Sequence, residues 1–284
     1  MNGIAGIRAL QKVALFLLRF FQRLRENKFF AFVLIYSFVT VPGRLRTNTK
    51  VLDIDSQVLT ELNEKGGRVE QSDIETLKSV IRKEAPGCSI VILAGSVPQG
   101  VQDTIYAELI AELKSIDAKV ILDAEKSLLV KGIDEAPYLI KPNLYEYNMF
   151  VGENCRTLSD VVRNVTKILD KNVEIACISF GAYGAMICSK KEAYYAKGLK
   201  LDVRGIQGAG DSMVAGISKA MNQGKGIEVM LRYGMAASAG SLVLDGTQMC
   251  DKGGFDAYLD KIETVDITEM IKGEELPIGG TIIC

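Results

Sequence analysis

The chain contains no histidine in its 284 residues. That absence excludes Ser-His-Asp and Cys-His catalysis, histidine-ligated zinc or haem, and any imidazole base. Acid-base work must therefore fall to carboxylates, lysines, tyrosines or thiols. There is no C-x-x-C pair either: the six cysteines, at 88, 155, 177, 188, 250 and 284, follow no regular spacing, and several fall in apolar strand-like runs. They read as reduced thiols acting as small buried hydrophobes, and hence as a cytoplasmic protein. A large excess of charge is also missing. With 24% charged residues and a formal net charge of −1, the whole chain carries no positive field of the kind that draws in nucleic acid. What is plentiful is apolar surface. At 48% hydrophobic content and 31.0 kDa, the chain can furnish the core of one large α/β domain or two small ones.

The first fifty residues differ from the rest. They hold nine lysines or arginines against the single acid Glu26, a net +8 that leaves −9 for residues 51–284, and seven of the ten phenylalanines precede Thr40. The composition breaks near Pro42-Gly43, which marks a segment with a different job. The longest uncharged run, between Lys28 and Arg44, is too short to span a bilayer comfortably, and no small-residue cleavage site follows Val13–Leu18. A basic amphipathic helix on a membrane surface, with Arg19, Arg23 and Arg25 interrupting a Phe/Leu-rich stretch, is the remaining lipid-facing reading, and it ranks below a non-native N-terminus.

From about Leu45 onward, short apolar runs alternate with amphipathic stretches. Strand-like runs lie at 88–94, 119–122, 138–140 and 174–179, and residues 103–115 space their apolar positions at three and four. Near-continuous hydrophobic strands separated by helices predict an α/β fold with a mostly parallel sheet covered on both faces. Ligands of such sheets bind beyond the carboxyl ends of the strands, so the turns there are the places to search.

Three turns carry chemistry. Gly208-Ala209-Gly210-Asp211 opens a helical stretch reaching Met221. Its glycines let successive N–H groups converge ahead of a helix N-terminus, and Asp211 places a carboxylate beside whatever anion they hold. The alternative reading of Asp211 is a helix cap. Ser179-Phe-Gly181-Ala-Tyr-Gly184 can lie flat against a nucleotide or serve as a hairpin connection. Lys141-Pro142-Asn143 leads to Glu146, so Asn143 and Glu146 sit three apart at a helix start. They suit either a capping box or an oxygen pair for hydrated Mg²⁺ beside phosphates.

These elements in this order, preceded by the Gly95-Ser96-Val97-Pro98 turn, resemble the PfkB (ribokinase-like) carbohydrate kinase family from about Arg46 to the neighbourhood of Lys272. The resemblance implies a ribokinase-like α/β fold and transfer of the γ-phosphoryl group of ATP to a hydroxyl of a sugar phosphate. Fructose 1-phosphate is the expected acceptor, with tagatose 6-phosphate the alternative and a non-catalytic nucleotide-binding protein a further one. It implies Asp211 as base, Gly208, Ala209 and Gly210 as an anion hole, and Asn143 and Glu146 as the residues assisting magnesium. Lys141, Asn143, Ser179, Gly181 and Gly184 would lie along the nucleotide. Arg46, Asn48 and Lys50 match the family's T-R-x-N-x-K strand, with Leu45 in place of its threonine, and would bind the acceptor's phosphate together with Asp211 at its hydroxyl; the other reading is edge protection. Homodimers are expected from the family. The N-terminal strand and glycine-rich sugar-binding segment of the family are not visible, so the expected organisation is an aberrant segment 1–44, a kinase domain 45–284 with an incomplete lid, and impaired turnover.

Overall fold

A computed structural model describes residues 11–16, 36–42, 46–53 and 59–284. The chain divides into two compact units, residues 1–88 with 96–105 and residues 89–95 with 106–284.

In the first unit, β1 (Gln11–Phe16) pairs antiparallel with β2 (Tyr36–Val41), and β3 (Asn48–Leu52) pairs antiparallel with β4 (Leu59–Asn63). Helix α1 (Gln71–Glu84) packs on β2, where Val39 and Val41 are buried. Its buried stripe, Ile74, Lys78 and Ile81, follows the helical repeat. The membrane-surface helix expected around Arg19, Arg23 and Arg25 lies outside the described residues, apart from the β-paired Val13–Phe16. Among the described residues, no helix is long and apolar enough to cross a membrane.

The second unit is built on a seven-stranded mixed sheet. Its elements in chain order are β5 (Ile90–Ala94), α2 (Ile105–Lys114), β6 (Lys119–Asp123), α3 (Lys126–Asp134), β7 (Leu139–Ile140), α4 (Leu144–Val151), α5 (Leu158–Leu169), β8 (Ile175–Ser179), β9 (Gly184–Cys188), β10 (Ala193–Lys197), α6 (Ala209–Asn222), α7 (Ile227–Leu242), α8 (Lys252–Leu259), β11 (Thr264–Asp266) and α9 (Thr268–Ile271). The order across the sheet is β11-β10-β9-β8-β7-β6-β5. Strands β5 to β8 are mutually parallel, whereas β9, β10 and β11 each reverse on their neighbour, so five of the seven point the same way. The four parallel strands match the runs expected from sequence to within two residues.

Both faces of this sheet are covered, which is why its strands carry no polar alternation. Ile121, Leu139, Ile175 and Cys177 face a cluster with Met213, Val214 and Ile217 of α6 and Met230, Leu231 and Ala236 of α7. Leu122, on the opposite face, meets Gly132 of α3 and lies beside Ile110 of α2. The contact between α6 and α7 is close because glycine permits it. A Cβ placed on Gly216 would stand 2.3 Å from the Tyr233 carbonyl oxygen, and one on Gly234 would stand 2.9 Å from Ile217 Cγ1.

Helix propensity alone favours alanine over glycine at residue 216 by about 1 kcal/mol. The overlap with a backbone carbonyl outweighs that gain, and Gly216→Ala is expected to destabilise the protein by about 2 kcal/mol net. Urea unfolding of the variant beside the native protein measures this; an unchanged or raised midpoint would refute the packing argument.

Candidate active site

Four parallel strands end side by side, and their ends are joined by main-chain hydrogen bonds. The Gly95 N–H donates to the Asp123 carbonyl at 3.0 Å, Lys141 N–H to Leu122 at 3.1 Å, and Ser179 N–H to Pro142 at 3.1 Å. Asp123, Lys141 and Ser179 thus stand in a row along the carboxyl edge of β6, β7 and β8. The Tyr106 hydroxyl is shared between the carbonyls of Ala94 and Gly95, at 2.9 and 3.0 Å, and ties down the end of β5. Burial, with a contribution from the Asp123 charge, pushes its pKa up to about 12.

Lys141 is buried, only 5% exposed, and its Nζ lies 3.2 Å from Asp123 Oδ1. A buried ammonium needs such a partner, because an uncompensated charge in this setting costs several kcal/mol. The same ammonium lies against the first turn of α6: a Cβ on Gly210 would stand 3.5 Å from Nζ. Gly208 precedes that turn in the left-handed region, at φ +73, and the first helical hydrogen bond runs from the Ser212 N–H to the Gly208 carbonyl at 2.8 Å. The amides of Ala209, Gly210 and Asp211 therefore have no acceptor within the helix. They point out of its positive end, which suits an anionic oxygen. Asp211 is exposed in this first turn.

The carboxylates interact with one another. Burial holds the Asp123 carboxyl above its ordinary range, Lys141 pulls it back down, and Asp211 pushes it up. Glu146 is raised mainly by burial; the Asn143 N–H and Lys141 oppose this, while Asp123 and Glu125 add to it. Asn143 and Glu146 form the capping box of α4: the Glu146 N–H donates to Asn143 Oδ1 at 2.9 Å, and the Asn143 N–H donates to Glu146 Oε2 at 2.9 Å. Asn143 also bridges to Ser179 across the strand ends.

The 179–184 turn is a hairpin connection between β8 and antiparallel β9, with a 3-10 turn at Gly181–Tyr183. Asn143, Ser179 and Gly181 line an open groove of about 530 Å³ together with the aromatic side chains of Tyr145, Phe180 and Tyr183. Gly184 is placed differently. It is buried at the start of β9 with φ +106, where a Cβ would stand 2.0 Å from the Ala196 carbonyl oxygen of β10, so close backbone approach accounts for this glycine.

Within the first unit, the Arg46 Nη1 donates to Ser96 Oγ at 3.1 Å, and Arg46 lies two residues before β3. Asn48 is exposed on β3, and Lys50 occupies the position two further along the same strand. The residue that sequence reasoning did not single out is Asp123. Its signal was a carboxylate closing an apolar strand of a parallel sheet.

The sheet order and the helical layers are those of the ribokinase-like α/β class. The structure of phosphofructokinase-2 from Escherichia coli in complex with substrates and products superposes with a TM-score of 0.72 at 21% identity, over 78% of this chain and 72% of that one. The family model "pfkB family carbohydrate kinase" matches residues 34–252. The 1-phosphofructokinase of Vibrio cholerae is 31% identical over 227 residues, covering 80% of this chain and 71% of that protein. The corresponding enzyme of Escherichia coli K12 is 28% identical over 226 residues, covering 80% and 72%. The chain belongs to the pfkB family of carbohydrate kinases.

The charge arrangement has a measurable consequence. Lys141 lowers the titration of both Asp123 and Glu146, so Lys141→Met is expected to move both midpoints further upward. Carboxyl ¹³C NMR over a pH series reads each group; a fall or no change at Asp123 would show that the pair does not operate in solution.

Proposed function

We propose that this kinase transfers the γ-phosphoryl group of ATP to a hydroxyl of a sugar phosphate, converting fructose 1-phosphate to fructose 1,6-bisphosphate. The observation that carries the proposal is the first turn of α6. There, Asp211 stands beside three main-chain amides with no helical acceptor, with the buried Lys141 ammonium lying against Gly210. The names of the relatives support the choice of acceptor, since the Vibrio cholerae and Escherichia coli proteins are 1-phosphofructokinases.

In this reading, the amides of Ala209, Gly210 and Asp211 receive phosphate oxygens whose charge changes during transfer. The Asp211 carboxylate accepts the proton of the acceptor hydroxyl as its oxygen forms the new bond to phosphorus and ADP leaves with the electron pair of the broken one. Lys141, Asn143, Ser179 and Gly181 lie along the nucleotide, with Gly184 shaping the hairpin that carries the last two. The family resemblance assigns Arg46, Asn48 and Lys50 to the phosphate already present on the sugar; within the first unit, Arg46 is steadied by Ser96.

Magnesium fits the donor set. Among the described residues, no group of three or more His, Cys, Asp or Glu side chains is gathered to form a protein cage. The ion characteristically keeps its waters and binds through one or two carboxylates plus phosphate oxygens. Glu146 and Asp123 are close enough to perturb one another, and Asn143 adds an amide oxygen, so these three would hold the hydrated ion. Bound there, it would neutralise charge on the nucleotide phosphates.

Asp211→Asn is expected to lower kcat at least about 100-fold while ATP affinity is retained. A coupled assay of ADP release with fructose 1-phosphate and with tagatose 6-phosphate in parallel measures this. Unchanged turnover in the variant would remove Asp211 as the base. Preference for tagatose 6-phosphate would reassign the acceptor, and ATP binding without sugar-dependent ADP release would leave a non-catalytic nucleotide-binding protein.

A further inference from the structure

Behind the first turn of α6, two buried serines meet. Ser212 of α6 and Ser241 of α7 are 5% and 1% exposed, and their hydroxyl oxygens are 2.6 Å apart. Ser241 Oγ accepts the Cys250 N–H at 2.8 Å, and the Ser212 hydroxyl donates to Met249 Sδ at 3.4 Å. A hydroxyl has one proton to donate. Either serine can supply the proton between the two oxygens, and Ser212 lies within reach of both Ser241 and the thioether. The four groups form one connected relay, from the Cys250 amide through Ser241 and Ser212 to the sulfur of Met249.

The far end of the relay rests on the anion hole's own glycine. A Cβ on Gly208 would stand 2.6 Å from Met249 Cε and 2.8 Å from its Sδ, so the thioether occupies the side-chain position of that residue. The loop carrying Met249 is held at other points. Cys250 Sγ would be 2.3 Å from a Cβ on Gly240, and the carbonyls of Leu244 and Gly246 would lie 3.0 and 2.9 Å from one on Gly205. The Arg204 N–H donates to the Leu242 carbonyl at 2.9 Å. The segment from Leu242 to Cys250 thus leans on the 204–208 turn along its length, and the serine relay is the buried polar fastening within that contact.

We infer that Ser241 is a positioning residue which, through Ser212 and Met249, braces Gly208 in its left-handed conformation and so keeps the amides of Ala209, Gly210 and Asp211 convergent on a phosphate. The inference rests on the phosphate-binding reading of that turn. Removing the Ser241 hydroxyl leaves the Cys250 N–H and the Ser212 oxygen without their partner inside the protein, and such groups reorganise to recover hydrogen bonds. The loop then releases Gly208, which as a glycine has no side chain to confine it to one backbone conformation.

The test compares binding of ADP and of adenosine, by calorimetry, to the native protein, to Ser241→Ala and to Met249→Ala. Met249 is half exposed, at 52%, so its truncation leaves the core intact while removing the contact on Gly208. Both variants are expected to bind ADP about ten-fold more weakly, with adenosine affinity unchanged. Equal loss for both ligands would show a merely structural role and overturn the inference, as would native ADP affinity in both variants. A native protein that does not favour ADP over adenosine would overturn the phosphate-binding reading and this inference together, whereas a native preference unmoved by the substitutions overturns the brace alone.

Discussion

A lysine ammonium removed from water, with one carboxylate as its partner, sets the terms for the carboxyl edge of the sheet. Leu122 of β6 and Ile140 of β7 are register partners; Asp123 ends β6, and Lys141 directly follows β7. They therefore fall on the same rung and the same side, which allows their side chains to meet at 3.2 Å. A slip of one residue in either strand would turn one member of the pair to the opposite face. The cost would be a buried charge without its partner, which amounts to several kcal/mol. The ion pair is thus a condition on strand register as well as an electrostatic contact. It also fixes where the row of strand ends lies relative to the helix that follows β10.

The charges around that pair are unequal. The Asp211 charge raises Asp123 and the Asp123 charge raises Glu146, while Lys141 opposes both rises. An anion entering such a place needs donors that do not pair with the neighbouring Asp211 carboxylate. Main-chain amides at a helix start meet this requirement, since they offer oriented partial charge without a mobile counter-ion. A lysine or arginine in the same first turn would bind phosphate too, but it would also pair with the Asp211 carboxylate. The surplus of carboxylate is likewise what a divalent cation between protein and polyphosphate would balance, which is why magnesium fits the residues present.

Most of the architecture was legible because it is written in local patterns. Apolar runs of strand length located β5 to β8, and glycines followed by an amphipathic stretch located the start of α6. Asn143 and Glu146 were legible as a pair at a helix start. The capping box they form is a local hydrogen-bond arrangement that their spacing encodes directly. Asp123 was not legible as a partner of Lys141, because eighteen positions and the helix α3 separate them, and periodicity locates a strand's end without saying which side chain meets its neighbour's. Gly184 was legible as a glycine in a turn, but the crowding that requires it comes from the β10 backbone, a contact across the hairpin that a linear pattern does not reveal. Ser241 carried no signal at all. In a helix rich in alanine and glycine, a serine reads as one more small residue until its buried partner on α6 is seen.

That last case shows how the site is held from a distance. Helix α7 presents Gly234 to α6 and Gly240 to Cys250, and Gly216 of α6 receives the Tyr233 carbonyl. Each of these contacts lies at a separation that a Cβ would prevent. Together they let α7 approach α6 along most of its length and bring Ser241 within reach of Ser212, next to the candidate base. Protein interiors transmit small displacements because they are packed close to crystal density. A methyl group added at Gly216, five residues along α6 from Asp211, would therefore move the helix that carries this candidate base as well as weaken the fold. The precision of a functional turn depends on the rigid elements behind it, and behind this candidate one stand two helices whose spacing is set by the absence of side chains.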